Sequence, residues 1–93
     1  MKKTSAKILV VDDDPEIVEI LKYNLSNSDF EVKVAYNGIQ AVKKSKKFNP
    51  DIILLDVMMP EMNGIEACTE IRNIDNLKNV QIIFLSALSL IHI

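Results

Sequence analysis

At 93 residues, with 13 acidic and 11 basic side chains and one cysteine, the chain has room for one domain, no broad basic field and no intramolecular disulfide. A domain this short buries only roughly 60–65% of the surface its unfolded chain exposes, so its core is thin. These totals argue against direct nucleic-acid binding and a cysteine-based zinc site, and the absence of any long apolar run argues against membrane contact.

Taken in order, the basic start Met1-Lys2-Lys3 is followed by an apolar run, Ile8 to Val11, that is too short for a signal segment, which predicts a cytoplasmic protein. Lys7-Ile8-Leu9-Val10-Val11 reads as a buried strand that ends in Asp12-Asp13-Asp14. Asp14-Pro15-Glu16 starts a helix, with Asp as N-cap, Pro at the first position and Glu in the first turn. That helix runs through Ile17, Val18, Leu21 and Leu25, apolar at roughly helical spacing, and is broken by Ser26-Asn27-Ser28-Asp29. Phe30-Glu31-Val32-Lys33-Val34 alternates apolar with charged residues, the pattern of a half-buried edge strand.

Asn37-Gly38 opens a second helix carrying Ala41, Val42, Ser45 and Phe48, and Asn49-Pro50 stops it. Its pairs Lys43-Lys44 and Lys46-Lys47 read as a solvated face. Ile52-Ile53-Leu54-Leu55 has the continuous apolar pattern of a central parallel strand buried on both faces, and it delivers Asp56 at its end. A third helix after Gly64 is expected to turn Ile65, Cys68 and Ile71 inward, with Glu66, Glu70 and Arg72 outside, before Asp75-Asn76 ends it. Val80-Gln81-Ile82-Ile83-Phe84-Leu85 is the fourth strand, with Ser86 at its carboxyl end.

Strands alternating with helices imply an α/β fold with a parallel sheet, and the edge character of the second strand supports the order 2-1-3-4. That order sets Asp12 and Asp13 beside Asp56 at a topological switch point, where ligands collect in such sheets. Carboxylates crowded there repel one another and call for a cation, and oxygen-only ligands favour Mg²⁺ over zinc or copper. A carboxylate beside Mg²⁺ can attack phosphorus, and Ser86 would hydrogen-bond a phosphoryl oxygen. Asp14 is accounted for as a helix cap, and a strand-end Ser can equally bond local backbone.

Three segments carry a resemblance to a known family: Ile8-Leu9-Val10-Val11-Asp12-Asp13-Asp14-Pro15, the run from Asp51 through Asp56, Pro60 and Gly64, and Ile82-Ile83-Phe84-Leu85-Ser86-Ala87. In this order and spacing they resemble the CheY-like receiver domain of two-component response regulators. The resemblance implies a flavodoxin-like doubly wound fold and phosphoryl transfer from a sensor histidine kinase or phosphotransfer protein to Asp56. It further implies Mg²⁺ held by Asp13, Asp56 and the backbone carbonyl of Met58, with Asp12 helping through water, and Ser86 as the hydroxyl that senses the phosphoryl group. Pro60 and Gly64 match the loop after the phospho-acceptor, where Gly would permit backbone angles closed to other residues.

Residues 1–87 are thus expected to form an incomplete receiver domain, and Leu88-Ser89-Leu90-Ile91-His92-Ile93 an apolar tail unlike the family. The family's fourth helix, fifth strand with its lysine, and fifth helix have no counterpart in the sequence, and so short a tail cannot supply a parallel crossover. Weakened phosphorylation and self-association through an exposed fourth strand follow as expectations, and His92 reads as incidental. Two other readings are an inert fragment and an Asp-nucleophile Mg²⁺-dependent phosphohydrolase. The hydrolase needs a general acid two residues after its nucleophile, where Met58 cannot move a proton. A phosphoryl acceptor that is not a turnover enzyme is the leading reading, with the inert fragment still open.

Overall fold

The structure, a computed structural model, describes residues 5–85. Ser86, His92 and the tail 88–93 lie outside the described residues. Four parallel strands, β1 (Lys7–Val11), β2 (Glu31–Ala35), β3 (Ile52–Asp56) and β4 (Gln81–Leu85), form one sheet in the order β2-β1-β3-β4. Helices α1 (Pro15–Asn27), α2 (Gly38–Phe48) and α3 (Gly64–Arg72) connect them, and a short 3₁₀ turn (Asp75–Leu77) precedes β4. Every strand pair is parallel, as the alternation of elements requires.

Strand geometry puts alternate side chains on opposite faces. Leu9, Val11, Ile53 and Leu55 meet Ala41 and Phe48 of α2 and Ala67 and Ile71 of α3 in the main core. Ile8 and Val10 lie outside that cluster, on the face where α1 lays the fully buried Val18. Because α1 packs chiefly on β1 and β2, the same face of β3 is less covered, and Ile52 and Leu54 are only half-buried. The continuous apolar run therefore marks a strand sealed on one face and partly open on the other. β2 keeps the expected alternation of Glu31 through Val34, but the strand runs from Glu31 to the buried Ala35, one residue later at each end than the sequence pattern suggests.

Helix boundaries follow local chemistry. Asp14 Oδ1 accepts the Glu16 N–H at 2.9 Å and Asn37 Oδ1 accepts the Gln40 N–H at 2.8 Å, each satisfying a first-turn donor. Asn49 closes α2 in the left-handed conformation, φ 54°. Two expectations for α3 need correction. Ile65 is 59% exposed and Ala67 takes the inward position, while Cys68 is half-buried against the core. The helix also ends at Arg72, ahead of Asp75, and the Arg72 guanidinium donates to the carbonyls of Lys78 and Val80, tying the helix end to the start of β4.

Candidate functional site

β1 and β3 are neighbours, Val11 in register with Leu55. Their chains therefore deliver Asp12 and Asp56 side by side at the carboxyl edge of the sheet. The Asp12 N–H still donates to the Ala35 carbonyl of β2 at 3.2 Å, so the residue is held as an extension of the strand. Asp12 is 4% exposed and Asp56 7%, whereas Asp13 is exposed. One carboxylate oxygen from each of Asp12, Asp13 and Asp56 lies within 4.8 Å of the others.

Two matching turns fix the buried pair. Asp12 Oδ1 accepts the Asp14 N–H at 2.9 Å, and Asp56 Oδ1 accepts the Met58 N–H at 3.2 Å. Each aspartate thereby bonds the backbone two residues on, which turns the chain away from the strand and leaves the carboxylate rigid. Asp14, by contrast, is spent on capping α1. The structure thus separates three consecutive acids into a buried cluster member, an exposed cluster member and a helix cap.

Burial raises the Asp12 carboxyl from 3.8 to about 6, against the help of the Asp14 N–H, and the charges of Asp56, Asp13 and Asp14 push the same way. Asp56 is also raised, first by burial and then by the charge of Asp13, while the Met58 N–H opposes the shift. Removing charge from water in a crowd of like charges is the common cause. An oxygen-only donor set at this spacing fits a hard divalent cation, which would relieve both contributions.

The loop after Asp56 is pinned to the same strand end. The Gly64 N–H donates to the Val57 carbonyl at 3.0 Å. A Cβ on Gly64 would overlap the main-chain carbonyl of Asp56 and sit 2.9 Å from the Val57 Cα. Close approach, and not an unusual backbone angle, is what requires Gly here, since no glycine has positive φ. The left-handed residue of the loop is Glu61, φ 66°. Asn63 then caps α3, its Oδ1 accepting the Glu66 N–H at 2.9 Å while Glu66 Oε1 accepts the Asn63 N–H at 3.0 Å. Gly38 seats the start of α2 on Met62 of the same loop, where a Cβ would come 2.8 Å from the Met62 Cβ. The Asn63-to-Glu66 spacing is a local signal of this reciprocal cap that the sequence reading missed, whereas the Gly38–Met62 contact joins segments that no local pattern links.

Comparison with known proteins gives consistent matches. The model of the response regulator receiver domain family matches residues 8–91. The alkaline phosphatase synthesis transcriptional regulatory protein PhoP of Bacillus subtilis is 50% identical over 66 residues, which are 71% of this chain and 28% of that protein. The chain therefore spans just over a quarter of that relative. Among solved structures, the receiver domain of the sensor histidine kinase PA1611 of Pseudomonas aeruginosa, with magnesium coordinated in its active-site cleft, superimposes with a TM-score of 0.86. It is 33% identical, and the match covers 94% of this chain and 71% of that one. The response regulator TrrA of Thermotoga maritima, in complex with Mg²⁺ and BeF, is 43% identical with a TM-score of 0.80, covering 88% and 70%.

Proposed function

The chain belongs to the response regulator receiver domain family, and on that premise we propose that Asp56 is its phospho-acceptor, charged by a histidine kinase or a phosphotransfer protein. The observation that carries the assignment is the convergence of the Asp12, Asp13 and Asp56 carboxylates at the ends of two adjacent parallel strands. Two of the similar structures hold magnesium, and the donor set in this chain suits it. Asp13, Asp56 and the backbone carbonyl of Met58 would hold the ion, with Asp12 acting through water. Bound there, Mg²⁺ would neutralise charge on the carboxylates and on the incoming phosphoryl group.

The chain's own groups do the rest. An ionised Asp56 oxygen attacks the phosphorus of a phosphohistidine; the P–N bond breaks, its electron pair stays on the imidazole, and an acyl phosphate forms on Asp56. The Met58 N–H, donating to Asp56 Oδ1, fixes the carboxylate and counters the burial that favours its neutral form. Gly64 sets the loop close against the Asp56 carbonyl, which keeps the strand end from drifting. Met58 turns its side chain to solvent, 73% exposed, and offers no proton to a leaving group, so the position two residues after Asp56 supplies no general acid of the kind a phosphohydrolase uses. Ser86, which lies outside the described residues, completes the proposal as the hydroxyl that senses the phosphoryl group.

Incubating the chain with a small phosphodonor and Mg²⁺, followed by phosphate-affinity electrophoresis, tests the assignment. A single retarded species is expected, lost in Asp56→Asn and when the metal is withheld. Phosphorylation that persists in Asp56→Asn would place the acceptor elsewhere.

A second part of the proposal concerns self-association. Among the described residues β4 pairs on one side only, with β3, and exposes Ile83 (44%) and Phe84 (45%). Such an edge invites a second strand. Light scattering should show a concentration-dependent rise in mass that Phe84→Lys abolishes; a monomer at every concentration would remove this part alone.

A further inference from the structure

The opposite end of the sheet carries a feature that the phosphoryl chemistry does not use. Lys7, Lys33, Lys44 and Lys47 line a groove of about 430 Å³ with Phe48 at its wall. They come from three elements, β1, β2 and α2. Read along the chain, Lys44 and Lys47 belong to two basic pairs on one helix, but the structure splits those pairs. Lys43 and Lys46 are exposed and lie outside the lining, while Lys44 and Lys47 join lysines from the two strands.

Most of these side chains are held in place. Lys7 Nζ donates to the Phe48 carbonyl at 3.2 Å and sits 5.6 Å from the ring centroid. Lys33 Nζ lies at the same 5.6 Å from that ring. Lys44 Nζ donates to the Val34 carbonyl at 2.6 Å. Carbonyl contacts explain why Lys7 and Lys44 are anchored, since an ammonium suits the carbonyl end of a helix and an edge-strand acceptor. They do not explain why Lys33 and Lys47 are added to the same groove, at a cost in like-charge repulsion.

Among the described residues no carboxylate lines the groove to offset that repulsion. Glu31 is in register with Lys7 but lies outside the lining. Asp51, whose Oδ2 accepts the Lys7 backbone N–H at 2.8 Å, is outside it too. An ammonium that gives one hydrogen to a carbonyl keeps two for another acceptor. Lys, unlike Arg, recognises anions as a point charge without a planar fork, which suits a ligand whose charge is spread over several oxygens.

We propose that this groove binds a small polyphosphorylated anion, with the Lys33 and Lys47 ammonium groups, which bond no carbonyl among the described residues, as its principal contacts and Lys7 and Lys44 as fixed positive charge. The site stands apart from the acidic cluster: Lys7 begins β1 and Asp12 follows its end, roughly 16 Å away at the rise of a strand. It therefore does not depend on Asp56 being the phospho-acceptor.

Titration of the full chain with inorganic triphosphate, without Mg²⁺ and at constant ionic strength, followed by amide chemical shifts, tests the proposal. One saturable site is expected, with shifts confined to the start of β1, to β2 and to the end of α2. Lys33→Gln/Lys47→Gln removes the two ammonium groups that bond no carbonyl and leaves the Lys7 and Lys44 anchors in place, and it should weaken binding about tenfold or more given the strength of hydrogen bonds to charged groups. Lys43→Gln/Lys46→Gln, with the same loss of net charge, should bind as the parent does, and so should Asp56→Asn. Non-saturating shifts, or equal weakening in the two double variants, would reduce the groove to a solvated basic surface and overturn the proposal. Citrate binding as tightly as triphosphate would overturn the assignment to phosphoryl groups.

Discussion

Asp12 shows how one residue's position fixes its chemistry. Its strand buries it, its neighbour Asp56 and the adjoining acids surround it with like charge, and its carboxyl rises to about 6. Between 3.8 and about 6 the folded chain keeps a proton that the unfolded chain has lost, so without metal the stability it confers at low pH is lost as pH rises through that window. Asp12→Asn removes both the charge and the titration. Thermal unfolding in metal-free buffer at pH 7 should show the variant melting about 4–8 °C higher, the shift that ~1 kcal/mol produces in a domain of this size. Its stability should also be flatter than the parent's between pH 4 and 6. An Asp12→Asn variant that melts lower than the parent at pH 7 would show that the carboxylate stabilises the free fold, contrary to its surroundings.

At the scale of elements, the strands and their order were readable because apolar runs and period-two alternation are local signals, and adjacency followed from the edge character of the Phe30-to-Val34 run. The acids of the candidate site were readable for the same reason: Asp12 and Asp56 each end a run that has to be buried. Ile65 was misread because helical periodicity is ambiguous near a helix start, where both Ile65 and Ala67 are apolar and only packing decides which faces the core. Gly64 was placed correctly and explained wrongly, since a close approach between β3 and the loop is a tertiary fact that backbone propensities do not encode. That approach makes a prediction. Gly64→Ala should cost about 1–3 kcal/mol, the usual range for overpacking, because backbone atoms at Asp56 and Val57 have to move. Denaturant unfolding measures the loss, and the same variant should phosphorylate more slowly because Asp56 itself is displaced. A stability change within ~0.5 kcal/mol, the range of surface substitutions, would mean that the loop relaxes freely and does not position the acid.

Across the molecule, the acidic cluster gathers negative charge at the carboxyl edge of the sheet, and a cation there should offset its pH response. Mg²⁺ binds ionised carboxylates, so its affinity grows as Asp12 and Asp56 lose their protons. Bound only to the folded chain, it stabilises by about 2.7 kcal/mol at a hundredfold excess over its Kd. Without metal, the contribution of Asp12 to stability is lost as pH rises from 3.8 to about 6; saturating Mg²⁺ should offset that loss over the same range. Melting curves collected with and without Mg²⁺ across that interval should therefore diverge with pH, and Asp13→Asn and Asp56→Asn should close the gap. Asp13 is the sharper test of the two, because it is exposed and contributes little to packing, so its effect reports metal binding and not damage to the core. A gap that survives in Asp13→Asn would assign the stabilisation to ions bound elsewhere on the surface and not to the acidic cluster.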